Sequence, residues 1–181
     1  MIVRAAMAAD AEALAAIYGH HVLTGFGTFE EEPPSAAEME VRRAAIADRG
    51  LPYLVAEDAG RVLGFAYAAP FRLRAAYRYT VEDSVYIAPD AIGRGVGRAV
   101  LTAVLQACED LGLRQVVAVI GDSCNVASIG LHRALGFEDR GIGKSFGFKH
   151  GRWVDIVWMQ KALNGGDARA PDTPGVDLSG G

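Results

Sequence analysis

The chain has 181 residues, of which 51% are hydrophobic and 22% are charged, and its formal net charge is −4. This length fits one domain with a full core, and the mildly acidic balance provides no basic surface for nucleic acid or an anionic membrane. Two cysteines exclude a disulfide framework and a four-thiolate zinc site. The sequence contains no apolar run of about 18 residues, and its charged N-terminus is unlike a signal peptide. We therefore expect a soluble, cytoplasmic protein that binds neither nucleic acid nor membrane.

Hydrophobic periodicity and turn residues predict strands and helices that share one core. In chain order they are a strand at 1–4, a helix at 8–23, a helix that starts after Ser35, hairpin strands at 53–57 and 61–69, a strand at 80–87, a helix at 97–111, a strand at 115–120, a helix at 125–135, and strands at 137–148 and 151–160. After residue 163 the chain is polar and rich in Gly and Pro, which is typical of disorder. The prediction is one α/β (α+β) domain over residues 1–163 with a central mixed, mostly antiparallel sheet flanked by helices, followed by a disordered tail over residues 164–181.

The strongest chemical signal is a glycine-rich turn between the 80–87 strand and the next helix. It consists of Gly93, Arg94, Gly95, Val96, Gly97 and Arg98. Glycines let backbone N–H groups approach an anion closely, and the helix N-terminus adds a positive dipole end. The Walker loop needs Lys and then Ser or Thr after its last glycine, and the dinucleotide-binding fingerprint needs glycine where Arg98 stands. The turn therefore predicts a different kind of phosphate cradle, with a glycine turn that binds no ligand as the alternative.

A second motif opens the following helix and reads Asn125-Val-Ala-Ser128-Ile-Gly-Leu131-His132. Together with the glycine turn it resembles the GNAT acetyltransferase superfamily, over Met1 to about Leu163. Three further segments resemble the phosphinothricin and methionine sulfoximine or sulfone N-acetyltransferase family, namely Gly27–Glu30, Tyr77–Tyr86 and Phe148–Trp153. Two positions depart from the superfamily pattern, because Ile92 replaces its Arg or Gln and His132 replaces its usual Tyr. The resemblance implies a GNAT fold, acetyl-CoA as cosubstrate, no metal, and a homodimer.

The resemblance also implies roles for individual residues. A backbone N–H of Val85, Tyr86 or Ile87 would polarise the acetyl carbonyl. Glu82 would act as general base and His132 would protonate the leaving sulfur, whereas an exposed strand carboxylate and a packed helix histidine are the alternatives. Cys124 has no motif partner and is interpreted as a loop residue. The residues implied to bind the cosubstrate are Val85, Tyr86, Ile87, Gly93, Arg94, Gly95, Val96, Gly97, Arg98, Asn125 and Ser128.

Residues for the acceptor substrate are assigned from their chemistry and from the family's pocket regions. Glu30 would pair with an ammonium group, and Arg72, Arg74 or Tyr77 would meet a carboxylate. The regions that line the pocket in the family also include Phe29, Ala75, Ala76 and Trp153. The alternative for the arginines is a solvated surface. His20 and His21 are adjacent on a helix and point apart, so we expect no metal there.

These observations predict an acetyl-CoA-dependent N-acetyltransferase that acts by direct transfer. Its acceptors would be small amino acids or analogues, with methionine sulfoximine, methionine sulfone and phosphinothricin as the leading substrates that the resemblance implies. A peptide N-terminus or an amine antibiotic is an alternative acceptor. A non-catalytic, CoA-binding regulatory domain is a further alternative, which the presence of both Glu82 and His132 disfavours.

Overall fold

The computed structural model describes residues 1–178 and is built around a seven-stranded sheet in the order β1-β2-β3-β4-β5-β7-β6. The strands are β1 (Ile2–Ala5), β2 (Tyr53–Asp58), β3 (Arg61–Pro70), β4 (Thr80–Ile87), β5 (Gln115–Gly121), β6 (Glu138–Lys149) and β7 (Arg152–Ala162). The helices are α1 (Ala11–Thr24), α2 (Ala36–Ala47), α3 (Val96–Asp110) and α4 (Val126–Ala134). Neighbouring strands are antiparallel except β4 and β5, which are parallel. The predicted mixed, mostly antiparallel sheet is confirmed.

The helices cover the two faces of the sheet. On one face, Tyr18 of α1 packs edge-on against Tyr86 of β4, with ring centroids 4.8 Å apart. On the other face, Val96 of α3 packs against Gly64 of β3. A Cβ added at Gly64 would lie 3.1 Å from the Val96 side chain. Because successive strand residues point to opposite faces, each residue of β4 is assigned to one side or the other. This assignment decides which side chains can meet around β4.

Two short polar caps define helix starts that matter for the site. The Ser35 hydroxyl accepts a hydrogen bond from the Glu38 N–H at 3.2 Å, which confirms the predicted start of α2. The Asn125 side-chain oxygen accepts a hydrogen bond from the Ser128 N–H at 3.2 Å and caps α4. The Asn125 amide nitrogen also donates to the Gly121 carbonyl at 3.3 Å. Asn125 thus fixes the angle at which α4 leaves β5.

The segment after residue 163, for which the sequence predicts disorder, has contacts with the rest of the domain in the structure. Residues 164–178 lie along the start of β5 and carry hydrogen bonds to Arg114, Tyr79 and Arg78, and Val176 is only 8% exposed. Sequence composition alone misses this because the partners are backbone carbonyls, which any residue type supplies. The predicted disorder of residues 179–181 lies outside the described residues. Over residues 1–178, the helices lack the combined length and apolarity that crossing a bilayer requires.

Candidate active site

A gap between β4 and β5 is the central feature of the site. The parallel ladder pairs Thr80–Asp83 with Gln115–Ala118 and then stops, although β4 continues to Ile87 and β5 to Gly121. Beyond Asp83 the two strands diverge, so the facing backbone groups lose their sheet partners. An unpaired backbone edge inside a fold is available to bind a ligand's amide or carbonyl groups.

The ladder with β3 shows which residues of β4 face the gap. The Ala88 N–H donates to the Leu63 carbonyl at 2.9 Å, and the Phe71 N–H donates to the Thr80 carbonyl at 3.3 Å, in an unbroken antiparallel register. In such a ladder the backbone of even-numbered β4 residues is directed to β3, and that of Val85 and Ile87 to the gap. The Ile87 carbonyl is engaged there, because it accepts a hydrogen bond from His21 Nε2 at 2.8 Å. The Val85 and Ile87 N–H groups remain as donors.

This geometry corrects one sequence-based assignment. The Tyr86 backbone is directed to β3 and is not a donor at the gap. Its ring instead packs between Tyr18 and Phe65, at centroid distances of 4.8 and 5.3 Å. Burial raises the pKa of Tyr86 well above its usual value, so the phenol stays neutral. Tyr86 contributes to the site as a packing residue.

A cavity of about 590 Å³ extends from the gap to the N-terminus of α3. The predicted residues on its wall are Val85, Tyr86, Ile87, Gly93, Gly95, Val96, Gly97, Arg98, Asn125, Ser128 and His132. The cavity is roomy enough for an elongated small-molecule ligand. Motifs that are far apart in the sequence therefore meet at one site.

The glycine turn has the geometry of an anion cradle. Gly93 and Gly95 adopt left-handed φ values of 78° and 80°, and a Cβ at either would have no atom of the described chain within 4 Å. The Ala99 N–H bonds to the Gly95 carbonyl and so begins the bonding of α3. The preceding N–H groups of Val96, Gly97 and Arg98 therefore have no acceptor within the helix. Open space, free donors and the helix dipole all favour a phosphate group here.

The two arginines of the cradle are placed differently. Within the described residues, Arg98 lines the cavity and Arg94 does not. Arg94 is exposed and reaches to within 3.8 Å of an Asp58 carboxylate oxygen. Ile92 lies on the cavity wall and is 63% exposed, so its side chain sits at the entrance. Of the two arginines predicted to bind phosphate, Arg98 therefore lies on the cavity wall and Arg94 lies outside it.

His132 is held in a buried ion pair that sequence reasoning missed. Its Nε2 lies 3.0 Å from Asp83 Oδ2, and its Nδ1 donates to the Ser128 carbonyl at 2.7 Å. Burial alone lowers the pKa of His132, but the Asp83 carboxylate outweighs burial and raises it above the usual value. The residues are 2% and 5% exposed, and both lie on the cavity wall. The raised pKa favours the protonated imidazole, in which both N–H groups have protein partners.

Glu82 lies on the opposite face of β4 from the Asp83–His132 pair. It shares that face with Tyr67 of β3 and Ser84, under α1 and α2. Burial raises the pKa of Glu82 and repulsion from Asp83 adds to this, while the charge of Arg72 lowers it. A carboxylate with a raised pKa is a stronger base than an exposed glutamate. The predicted base and the predicted acid therefore lie on opposite sides of one strand.

Glu30 is already paired within the protein, contrary to its assignment to a substrate ammonium group. Arg42 donates to both of its carboxylate oxygens, at 2.7 and 3.2 Å, and the Tyr18 hydroxyl donates at 2.9 Å. The Tyr18 hydroxyl also lies 2.8 Å from the hydroxyl of Thr28. Glu30 therefore anchors the segment between α1 and α2, residues 25–35, which we call the α1–α2 segment.

The other predicted acceptor residues lie outside the cavity. Arg72, Arg74, Ala75, Ala76 and Tyr77 are exposed on the segment between β3 and β4, with Arg72 stacked 4.6 Å above the ring of Phe71. We call residues 71–79 the acceptor loop. Phe29 is 39% exposed and packs against Gly147 of β6, while Trp153 is 61% exposed beside Phe148. The structure thus brings the cofactor residues together but leaves the acceptor residues spread over a neighbouring surface.

Several contacts around the cavity carry no sequence motif. The carbonyl oxygen of Phe26 occupies the space that a side chain at Gly121 would fill. Lys149, 1% exposed, donates from Nζ to the Thr28 carbonyl at 2.8 Å. Both contacts hold the α1–α2 segment against the end of the sheet. A lysine at a strand end next to Phe148 and His150 gave no sign of burial, because its partner is a backbone carbonyl distant in sequence.

Known proteins are similar to this chain over most of its length. A sequence model of the acetyltransferase (GNAT) family matches residues 14–137. The chain belongs to the acetyltransferase (GNAT) family. It is 56% identical over 163 residues to a phosphinothricin N-acetyltransferase of Alcaligenes faecalis, covering 90% of this chain and 83% of that protein. It is 41% identical to an L-methionine sulfoximine/L-methionine sulfone acetyltransferase of Pseudomonas paraeruginosa, covering 90% of this chain and 94% of that protein.

A solved structure extends the agreement to the GNAT fold. It is a GNAT superfamily phosphinothricin acetyltransferase from Sinorhizobium meliloti in complex with AcCoA, with a TM-score of 0.91 and 50% identity. The match covers 94% of this chain and 92% of the other. The expected GNAT fold and the narrower family resemblance are both confirmed. In residues 1–178, three or more His, Cys, Asp or Glu side chains do not converge in a group that would hold a metal ion.

Proposed function

We propose that this GNAT protein transfers the acetyl group of acetyl-CoA to the amino group of small amino acids or their analogues. The leading acceptors are phosphinothricin, methionine sulfoximine and methionine sulfone, which are the compounds in the names of its relatives. One observation carries the proposal: an unpaired stretch of β4 backbone lies at one end of a cavity whose other end is a glycine cradle. This arrangement serves a ligand with both an acyl group and phosphates.

The residues present fit acetyl-CoA. The free N–H groups of Val96, Gly97 and Arg98 would hold the pyrophosphate, since Gly93 and Gly95 leave the approach open. The backbone edge of Val85 and Ile87 would bind the pantetheine arm between the diverging strands. Acetyl-CoA supplies the activated acyl group, and the remaining chemistry belongs to the protein.

The Val85 N–H is the proposed donor to the acetyl carbonyl oxygen. It is directed into the gap, and negative charge develops on that oxygen as the amine attacks. A backbone donor fixed by a sheet ladder pays no reorganisation cost during the reaction, which is the basis of oxyanion stabilisation. The neighbouring Ile87 carbonyl is held by His21, which keeps this part of β4 in one position.

Glu82 is the proposed general base. The acceptor amine must lose a proton to attack, and the raised pKa of Glu82 brings its basicity closer to that of an amine. The proton passes to the Glu82 carboxylate, directly or through a water molecule. Because Glu82 lies on the face opposite the Asp83–His132 pair, the acceptor approaches from the side covered by α1 and α2.

His132 is the proposed acid for the leaving thiolate. The contact with Asp83 raises the pKa of His132 and so favours the protonated imidazole, and both residues lie on the cavity wall. Transfer requires one N–H to leave its protein partner, after which the imidazole is neutral and the sulfur carries the proton. Direct transfer needs no covalent intermediate, so Cys124, which lies in a loop on the cavity wall, has no role in it.

Acceptor recognition is proposed to rest on the acceptor loop rather than on Glu30. Arg72, Arg74 and Tyr77 remain exposed and able to meet a substrate carboxylate. Arg72 also lies close enough to influence the pKa of Glu82. An α-amino acid bound by its carboxylate to Arg72 would place its amino group towards Glu82. Glu30 instead anchors the α1–α2 segment through Arg42.

The test is thiol release from acetyl-CoA with a panel of acceptors. The panel contains methionine sulfoximine, methionine sulfone, phosphinothricin, the standard amino acids, a peptide with a free N-terminus and an aminoglycoside. We expect turnover on the first three compounds that greatly exceeds turnover on the peptide and the aminoglycoside. Faster turnover on the peptide or the aminoglycoside would show that the acceptor is a peptide N-terminus or an amine antibiotic and not a small amino acid. Tight CoA binding without turnover on any amine would instead favour the hypothesis of a non-catalytic, CoA-binding regulatory domain.

We also propose that the protein acts as a homodimer. β6 is an edge strand, and exposed apolar side chains cluster on the β6–β7 hairpin, namely Ile142, Phe146, Phe148 and Trp153 at 55–61% exposure. A long apolar edge of this kind is typical of an interface with a second copy. Sedimentation analysis should give a dimer that Phe146→Lys dissociates. Val41→Lys on α2, where Val41 is 68% exposed, is the matched control and should leave the dimer intact.

The proposed setting is the cytoplasm. Cys108 and Cys124 are both free, which fits a reducing compartment, and acetyl-CoA is available there. Acetylation of phosphinothricin or methionine sulfoximine would protect a cell that is exposed to either compound. Expression in a sensitive bacterium should therefore raise the tolerated concentration of phosphinothricin, and the Glu82→Gln variant should not.

A further inference from the structure

The C-terminal segment after β7 packs along the start of β5. Arg114, 4% exposed, donates from Nη1 to the Asn164 carbonyl at 2.7 Å and the Gly166 carbonyl at 3.3 Å, and from Nη2 to the Ala170 carbonyl at 3.2 Å. The Asn164 side chain donates in return to the Leu113 carbonyl at 3.1 Å. One buried guanidinium therefore fixes residues 164–170 through their backbone, whatever their side chains are.

Beyond residue 170 the segment reaches the end of the acceptor loop. The Tyr79 hydroxyl donates to the Thr173 carbonyl at 2.7 Å, and the Val176 N–H donates to the Arg78 carbonyl at 2.7 Å. Val176 is 8% exposed and belongs to the hydrophobic core. Gly175 passes so close to the loop that a Cβ there would lie 2.6 Å from the Arg78 carbonyl oxygen. These contacts are specific in position and direction.

The acceptor loop is held from two sides at this point. The Tyr79 carbonyl accepts hydrogen bonds from the Arg114 and Gln115 N–H groups, at 3.0 and 3.2 Å, on the β5 side. On the other side, the tail binds Tyr79 through the Thr173 carbonyl and Arg78 through the Val176 N–H. The exposed part of the loop, which carries Arg72, Arg74 and Tyr77, packs on itself, with the Tyr77 ring 5.6 Å from the Phe71 ring and the Tyr77 N–H bonded to the Arg74 carbonyl at 2.9 Å. We therefore expect its position relative to the sheet to depend on the fixed ends.

We propose that residues 171–178 are a positioning element of the acceptor site, which fixes the end of the loop that receives the substrate carboxylate. The inference rests on the proposed function, because it assigns the loop to acceptor binding. The cosubstrate residues are not involved, since the cradle and the gap contact other elements. Loosening the tail should therefore weaken acceptor binding and leave acetyl-CoA binding unchanged.

A matched pair of glycine variants provides the test. Gly175→Ala places a Cβ against the Arg78 carbonyl, whereas Gly165→Ala meets no atom of the described chain within 4 Å. Both glycines have left-handed φ values, +75° and +78°, so the two variants carry the same backbone penalty. We expect Gly175→Ala to raise the KM for methionine sulfone roughly fivefold, with the KM for acetyl-CoA within a factor of two of wild type. Gly165→Ala should leave both constants near wild type.

A truncation and a side-chain variant complete the experiment. Ending the chain after Ala170 keeps the Arg114 bonds and removes the contacts to Arg78 and Tyr79, so it should reproduce the change in acceptor KM. Tyr79→Phe, which loses the bond to Thr173 alone, should give a smaller change in the same direction. Unchanged acceptor KM in Gly175→Ala, or equal rises in both KM values, would overturn the proposal. Failure of the proposed function is distinct, because wild type itself would then acetylate none of the amines.

Discussion

Replacing Gly95 by Asp and by Asn separates the charge of the cradle from its shape. Gly95 has φ +80°, and a Cβ there would have no described atom within 4 Å, so both side chains fit. Asn and Asp are the residues that best tolerate left-handed backbone, and each substitution costs stability by about 1–2 kcal/mol. The two variants therefore have nearly the same folded structure and differ by one negative charge next to the proposed pyrophosphate site.

The size of the effect follows from Coulomb's law. At a separation of about 5 Å, one unit charge opposes another by roughly 0.8 kcal/mol in water and more where the cavity wall lowers the dielectric. Two phosphate charges thus give about 1.6 kcal/mol or more, which corresponds to a loss of CoA affinity of roughly tenfold or greater. Gly95→Asp should lose this much affinity relative to Gly95→Asn.

Titration calorimetry with free CoA measures the effect directly. The affinity gap between the two variants should shrink as salt is raised, because exposed charges are screened over about 10 Å at 0.1 M ionic strength. Thermal unfolding of both variants serves as the control for folding. Equal affinities of the Asp and Asn variants at low salt would show that no phosphate lies at this turn, and the assignment of the cradle would be refuted.

Three further predictions concern the base, the buried pair and the packing of the α1–α2 segment. Glu82→Gln should lower kcat roughly a hundredfold without changing CoA affinity. It should also remove the acidic limb of the pH–rate profile, which the raised pKa of Glu82 places at a higher pH than for an ordinary glutamate. A profile that retains this limb would exclude Glu82 as the general base. Because the pKa of His132 is raised, the folded state binds a proton more tightly than the unfolded state does. The stabilisation from protonated His132 is therefore full below about pH 6.5 and is lost as pH rises through the folded-state pKa. Denaturant titrations should therefore show wild type losing stability over that window, and Asp83→Asn should flatten the loss; parallel pH curves would contradict the pairing. Gly121→Ala should destabilise the fold by about 1–3 kcal/mol because its Cβ would overlap a carbonyl oxygen of the α1–α2 segment. In Gly130→Ala the new Cβ meets no described atom within 4 Å, so this control should not lose stability. Denaturant unfolding of both variants measures the difference.

Local sequence signals were sufficient for the helices and strands and for the motifs that line the cavity. Gly93 and Gly95 of the cradle adopt left-handed φ values, which favour glycine, and Asn125 caps a helix, so these residues are visible as motifs. Glu82 and Val85 point to opposite faces of β4, as the alternation of side chains along a strand requires. These features depend on residues close in sequence, which is why they could be predicted.

Contacts between distant residues could not be predicted in the same way. Asp83 interrupts an apolar face of β4, and its partner His132 comes 49 residues later, so no periodicity connects them. Glu30 has the chemistry to bind an ammonium group, but α2 brings Arg42 to it first. The polar composition of the tail predicts disorder, and composition does not show the hydrogen bonds that the buried Arg114 donates to its backbone. In each case the deciding partner is supplied by the tertiary fold.

The most direct test of direct acetyl transfer is a single-turnover experiment followed by mass spectrometry. Equal amounts of protein, acetyl-CoA and methionine sulfone are mixed, and the small molecules and the intact protein are both analysed. The proposed mechanism predicts N-acetyl methionine sulfone in equal amount to the released thiol, with the protein mass unchanged. Thiol release without the N-acetyl product, or a protein that gains the mass of an acetyl group, would contradict it.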